Sequence, residues 1–330
     1  MKLAVYGYNT IVGKLVLEEL EQGKIVIDEF FPLSPLSAEY DAVPLSGKNY
    51  KIECVDEFDF AKADAVLFLS TKDESERLIP KAQAANCVVI DNSHLFSGAK
   101  GIPSIVKDIN PEKIVEVRAK KLATVPLALT SQIVLALNPL HDEFGVRKAA
   151  ITALVSVSEH GELGTQTLAS ETTRLLNGMS VDVTDFPAQL AFNLHTRVGD
   201  INEEGSSILE DEVKKEVFEV IDPFKDGMSL TCIQVPTFYG HTLSVHVELE
   251  YDGSVDEFKE ALRKAPDLVL EEDMEEKTLV TPVSCAELDK AVYISRVRKQ
   301  GRASFDFTAV MDNTAVGEAA AALDILKMLA

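Results

Sequence analysis

The sequence predicts an α/β domain with a doubly wound parallel sheet, followed by an α+β domain with a mixed, mainly antiparallel sheet. Three observations predict it. Strand-like and helix-like runs alternate through the first third of the chain. After Ala149 the texture turns β-rich, with helices set between the strands. A length of 330 residues gives room for two well-filled cores.

Taken in order, "KLAVYGYNTIVGKLVLEELEQG" reads as strand, turn and amphipathic helix. Val12, Leu15, Val16 and Leu20 fall near one helical face, and Glu18, Glu19 and Glu21 lie outside it. Phe31–Gly47 is rich in Pro and Ser and reads as loop with one short strand. "ADAVLFLS" is a short buried strand, "SERLIPKAQAAN" a helix and "CVVIDNS" the next strand. In "ATVPLALTSQIVLALNPLHDEFG", Pro126 closes an extended piece, and an apolar helical run follows to Leu140. "KAAITALVSVS", "HTLSVHVELEYDG" and "AVYISRVRKQGRASFDFTAVMDN" read as strands. "TQTLASETTRLLNG" and "LEDEVKKEVFEVI" are the helices between them, and "AVGEAAAALDILKMLA" is a closing Ala-rich helix. The expected domains are 1–126 with 313–330, and 127–312.

Lys and Arg total 32 against 54 Asp and Glu, a net charge of −22. That field opposes nucleic acid and anionic membranes, and any phosphate site must be built locally. No run of about 18 apolar residues is present, so no membrane span is expected. "MKLAVYGYNT" runs straight into a strand without a signal-peptide pattern, and the expectation is a cytoplasmic protein. Cys54, Cys87, Cys232 and Cys285 are widely spaced, without metal-ligand spacing, and read as reduced thiols.

"GYNTIVG", Gly7 to Gly13, sits between the first strand and the first helix, where a Rossmann-type phosphate turn belongs. Gly7 and Gly13 are present, and Thr10 stands where a middle glycine would be. A strand–helix turn without a ligand is the competing reading. No Lys or Arg occurs from Phe31 to Gly47, while Glu39 and Asp41 do. A 2′-phosphate needs a cation there, so NAD is expected over NADP, and weakly bound.

"NPLHDEFG" (Asn138–Gly145), "VVIDNS" (Val88–Ser93), "FPAQLAFNLHTRVGD" (Phe186–Asp200), "TCIQVPTFYGH" (Thr231–His241), "VYISRVR" (Val292–Arg298) and "MDN" (Met311–Asn313) together resemble the aspartate-semialdehyde dehydrogenase family. The resemblance covers nearly the whole chain. It implies a Rossmann-type NAD(P)-binding domain and a C-terminal mixed-sheet catalytic and dimerisation domain, a glyceraldehyde-3-phosphate dehydrogenase-like arrangement. It also implies a homodimer and a place in amino-acid biosynthesis. Family chemistry needs a Cys thiolate to attack an acyl phosphate, a Gln to orient, an Arg to clamp the substrate carboxylate and a His for proton transfer.

Carried over position by position, the nucleophile falls on Ala128, between Leu127 and Leu129. The orienting Gln falls on Val155 and the substrate Arg on Gln234. The His is kept as His241, and a substrate-facing Lys as Lys214, with Lys215 the alternative. The implied cofactor contacts are Gly7, Asn9, Thr10, Ile11, Val12 and Gly13, then Ser70, Thr71, Asn92 and Asn313. A family Gly-Gly is here Thr71-Lys72, and a basic pair before the last helix is Ala315-Val316. The pattern is similar to the Usg-like branch, which lacks the catalytic cysteine.

The expectation is a homologue that has lost the dehydrogenase reaction and keeps fold, dimer and weak NAD binding, with a further protein partner left open. The alternative is altered chemistry in the same cleft, using His241 with Thr130 or Ser131. Cys232 reads as a buried small hydrophobe. Glu159 with His160 reads as a pair that titrates near neutrality or as a solvated loop. Asp91-Asn92-Ser93-His94 reads as a strand-to-loop cap.

Overall fold

In a computed structural model the chain is described over residues 1–23, 25–36, 41–275, 279–288 and 290–330. It divides into two compact units, Met1–Leu127 with Glu318–Ala330, and Ala128–Gly317.

The first unit opens with β1 (Lys2–Tyr6), whose pleat sends Leu3 and Val5 into one core and Ala4 and Tyr6 into another. Helix α1 (Ile11–Glu21) buries Val16 and Leu20, with Val12 and Leu15 half-buried against the same core. Strand β2 (Glu29–Ser34), a hairpin of β3 (Ala42–Leu45) and β4 (Lys48–Lys51), and the short β5 (Glu53–Cys54) follow. Then come β6 (Ala65–Phe68), α2 (Lys72–Ala84), β7 (Val88–Asp91), α3 (Ile114–Lys120) and β8 (Leu122–Thr124).

Six of these strands form a parallel sheet in the order β5-β2-β1-β6-β7-β8. Growth of the sheet reverses between β1 and β6, and the crevice outside their carboxyl ends is where such sheets bind ligands. The segment Phe31–Gly47 departs from its expected loop: β2 carries Phe31–Ser34 into the sheet, and β3 takes Ala42–Leu45. Pro32 is tolerated because β5 pairs only with Leu33 and Ser34 and does not reach it. Glu39 lies outside the described residues.

The second unit begins with α4 (Ala128–Phe144), buried on almost every side by residues such as Leu129, Ile133, Val134, Leu137 and Leu140. A helix apolar all round belongs inside a core. Next come β9 (Val146–Val155), α5 (Gly161–Leu176), α6 (Ile208–Val220), β10 (Met228–Gln234) and β11 (His241–Leu249). The unit closes with α7 (Val255–Arg263), β12 (Leu268–Leu270), α8 (Pro282–Cys285), β13 (Val292–Gly301) and β14 (Ser304–Met311).

The sheet order is β10-β9-β11-β14-β13-β12. Pairs β9/β11, β11/β14 and β13/β14 are antiparallel, and β9/β10 and β12/β13 are parallel. After β14 the chain enters a π-helical stretch (Asn313–Ala320) and then α9 (Ala321–Leu329). The sequence expects an ordinary helix from Ala315. Instead the Gly317 N–H reaches back five residues to the Asp312 carbonyl at 3.3 Å, a widened turn that apolar periodicity does not signal.

Candidate functional site

In the first unit the Gly7–Gly13 turn follows β1 at the reversal point. Gly7 has φ +89°, and a Cβ there would lie 2.2 Å from the Leu69 carbonyl oxygen. A Cβ on Gly13 would lie 2.1 Å from the Gly7 oxygen. Both positions therefore demand glycine, for packing within the turn as much as for any ligand. Thr10 is the N-cap of α1: its Oγ1 accepts from Gly13 N at 3.0 Å and donates to the Gly7 oxygen at 2.8 Å. One of the amides a pyrophosphate would take is thus capped from within the chain. Asn9 is exposed, and Ile11 and Val12 are half-buried.

After β6, the Ser70 hydroxyl is buried without a partner among the described residues. Thr71 caps α2, accepting from Glu74 N at 3.4 Å. After β7, Asp91 is fully buried and accepts from the Ser93 hydroxyl, capping the strand-to-loop turn. Asn92 Nδ2 donates to Glu318 Oε2 at 3.0 Å, while its buried Oδ1 has no partner among the described residues. The unit thus offers a glycine turn and unpartnered hydroxyl and amide oxygens at the strand ends. Those features fit a nucleotide, though Glu318 brings a carboxylate among them.

In the second unit, Ala128 is the first residue of α4 and is 4% exposed. A Cβ added to Gly317 would meet Ala128 Cβ at 2.6 Å and Met311 Cε at 3.0 Å. The backbone of the π-helical stretch therefore lies directly on Ala128. Thr130 Oγ1 and Ser131 Oγ are buried without hydrogen-bond partners among the described residues. The carbonyl of Val155, at the end of β9, accepts from Gln234 Nε2 at 2.7 Å. Gln234, at the end of β10, receives a bond from His160 Nε2 on its Oε1 at 2.9 Å.

His241 opens β11 and is fully buried. Its Nδ1 accepts from the Ser156 backbone N–H at 3.2 Å, so the ring proton sits on Nε2, 3.1 Å from Glu159 Oε2. Behind the ring, Asn313 Oδ1 accepts from Ser156 Oγ at 3.2 Å, Ser158 Oγ at 3.1 Å and Gly240 N at 2.9 Å. Asn313 Nδ2 is buried with no partner among the described residues. Lys214 Nζ pairs with Asp211 Oδ1 at 2.8 Å, one turn away on α6. That pairing holds the Asp211 carboxyl below the usual carboxylate range.

The structure thus gathers His241, Asn313, Val155 and Gln234 around the ends of β9, β10 and β11. Glu159 goes to His241 and His160 to Gln234. Sequence reasoning did not find the support of Ser156 and Ser158 for His241, because their link through Asn313 spans more than 150 residues of chain. The buried thiols are poor nucleophiles. Burial raises Cys285 to about 11 and Cys87 to about 12, and burial beside Glu210 and Glu159 pushes Cys232 up further. Among the described residues no helix is long and apolar enough to cross a membrane.

A family model described as semialdehyde dehydrogenase, NAD binding domain, matches residues 2–117. A second, described as semialdehyde dehydrogenase, dimerisation domain, matches residues 137–316. The chain is 31% identical to an aspartate-semialdehyde dehydrogenase of Shewanella violacea, with 99% of this chain and 97% of that one covered. It is 29% identical to a USG-1 protein homolog of Azotobacter vinelandii, over the same shares of 99% and 97%. A crystal structure of aspartate semialdehyde dehydrogenase II from Vibrio cholerae matches with a TM-score of 0.93 at 29% identity, covering 99% of this chain and 98% of that one.

Proposed function

The chain belongs to the semialdehyde dehydrogenase family, and on that premise we propose that it keeps the family's scaffold and has lost the dehydrogenation of aspartate semialdehyde. The observation that carries this reading is Ala128 at the start of α4, packed against Gly317. A methyl group forms no thioester, and the polar neighbours a nucleophile would need are Leu127 and Leu129.

The remaining residues support the same reading. Gln234 has no charge to clamp a carboxylate, and both ends of its amide are engaged. Val155 has no polar atom on its side chain to orient an intermediate. His241 presents a protonated Nε2 to Glu159 and an occupied Nδ1 to Ser156, so neither nitrogen is free to take a proton. Thr130 and Ser131 supply no substitute in this reading: among the described residues no hydrogen bond joins them to His241 or to any base.

A nicotinamide cofactor, when bound, would supply hydride chemistry. Here Gly7, Gly13, Ser70 and Asn92 would hold its nucleotide portion. Capping of Gly13 N by Thr10 favours weak binding, and the lack of any Lys or Arg from Phe31 to Gly47, where Asp41 stands instead, favours NAD over NADP. In this reading the protein is a cytoplasmic homodimer that serves as a binding or regulatory subunit, and the matched dimerisation domain supports the dimer.

The test is an assay of NADP and NAD reduction with aspartate semialdehyde and inorganic phosphate, on wild type and Ala128→Cys. Neither protein is expected to turn over above the background rate. Phosphate-dependent reduction by wild type would overturn the reading. Turnover restored by the thiol alone would show that Val155 and Gln234 are not disabling.

A further inference from the structure

The edge of the second sheet remote from β10 is open along part of its length. Strand β12 pairs with β13 only at Val292–Ile294. Beyond Ile294, β13 has β14 on one side and no strand on the other among the described residues. Such an edge offers backbone N–H and C=O groups to an extended chain. A cleft of about 620 Å³ lies alongside it, walled by Leu270 at the end of β12, the exposed Leu279 and the half-buried Val297 of β13.

Charge on this edge runs against the rest of the molecule. The chain carries −22, yet "RVRKQGR" (Arg296–Arg302) holds four cations in seven residues. Two of them are engaged within the chain. Arg298 donates through Nη2 to Asp306 Oδ2 at 3.4 Å and through Nη1 to the Arg296 carbonyl at 2.9 Å, and Lys299 Nζ pairs with Asp252 Oδ1 at 2.7 Å. Arg296 and Arg302 are exposed, and neither guanidinium has a partner among the described residues. Glu272 does not compensate Arg296, because Lys259 holds it at 2.6 Å and Arg263 at 3.1 Å. Glu271, which follows β12, also lines the cleft, so its positive charge lies on the β13 side.

The backbone sets Arg296 in place. Its φ is +57°, a left-handed conformation that is strained in a residue with a Cβ. The register of β13 on β14 shifts between Ser295 and Arg298, where Arg296 and Val297 together stand opposite Phe307. That is a β-bulge, which breaks the pleat and re-aims a side chain, here Arg296 into the cleft.

We infer that this edge binds an extended acidic segment of a partner protein, added as a strand beside β13. Its carboxylates meet Arg296 and Arg302, and its apolar side chains lie against Leu270, Leu279 and Val297. Charge selects that occupant over a second copy of this chain. Two identical edges brought together would set arginine against arginine, whereas an acidic strand meets charges of opposite sign. The inference is independent of the dehydrogenase reaction, because Ala128, Gln234 and His241 do not line this cleft.

The probe is a fluorescein-labelled octapeptide of alternating Glu and Val, long enough at about 3.3 Å per residue to span Ser295–Gly301. Its contrasts are the Lys–Val counterpart and a peptide of equal charge with proline at two of the valines. Proline keeps the charge and removes the N–H donors that strand pairing needs. Fluorescence anisotropy with the full chain is expected to show saturable binding of the Glu–Val peptide alone, and hydrogen exchange of Ser295–Gly301 should slow in the complex. Arg296→Asn, which tolerates the left-handed backbone, and Arg302→Gln should each weaken binding by about tenfold with the melting temperature unchanged. The inference is overturned if the Glu–Val peptide does not bind, if the proline peptide binds as tightly, or if Arg296→Asn binds like wild type. A change of oligomeric state in Arg296→Asn, read by sedimentation, would also overturn it, because the occupant would then be a second copy.

Discussion

At Ala128 the outcome turns on single carbon atoms. Gly317 meets it so closely that a Cβ would stand 2.6 Å from the Ala128 methyl. Gly317→Ala should therefore destabilise the protein by about 1–3 kcal/mol, the usual cost of overpacking. Gly301→Ala, where the nearest atom would be 3.6 Å away, should stay close to neutral. Urea unfolding of the two variants checks this, and equal midpoints would mean that the π-helical stretch gives way freely. Asp211 supplies a pH-dependent counterpart. Lys214 holds its folded-state pKa below the unfolded value, so the pair contributes stability above the unfolded value and loses it as pH falls through the folded one. Asp211→Asn should flatten the fall in melting temperature in the acid range below about pH 4 and change little at neutral pH. An unchanged slope would show that the pair is too solvated to matter.

Elements were legible wherever one local pattern decided them. The alternation in β1 and the apolar face of α1 follow from side-chain period alone. Strand β2 was obscured by Pro32, whose tolerance depends on where β5 stops. The segment 185–200 shows another limit. It has little regular structure, yet it forms a pocket wall because Glu171 on α5 accepts two of its amides. Glu171→Gln replaces an anionic acceptor by a neutral one and should cost about 2 kcal/mol. Hydrogen exchange of Leu190 and Ala191 should quicken in that variant while β9 and β11 stay protected. Uniform loosening would mean that the carboxylate stabilises the whole unit.

At the scale of the whole molecule, charge and family membership act together. A net charge of −22 weakens the approach of any polyanion, and Asp41 adds to that near the Tyr8 turn. Calorimetric titration should therefore show NAD binding at least about tenfold tighter than NADP, equivalent to 1.4 kcal/mol. Equal affinities would locate a 2′-phosphate contact that Phe31–Gly47 does not supply. The scaffold itself is that of the semialdehyde dehydrogenases, an NAD binding domain followed by a dimerisation domain.

The sequence by itself determined the two sheets, the glycine turn and the family, because these rest on local periodicity and on short motifs read in order. It also pointed to His241, Gln234, Val155 and Ala128. Only the tertiary structure decided which contacts those positions make. His241 carries its proton on Nε2 because the Ser156 amide, brought alongside by the β9/β11 pairing, fills Nδ1. Gln234 turns its amide to Val155 and His160 because β10 lies beside β9. Gly317 covers Ala128 because a widened turn lays backbone on the start of α4. Each outcome is a hydrogen bond or a contact between residues far apart in the chain, and no spacing in the sequence encodes that.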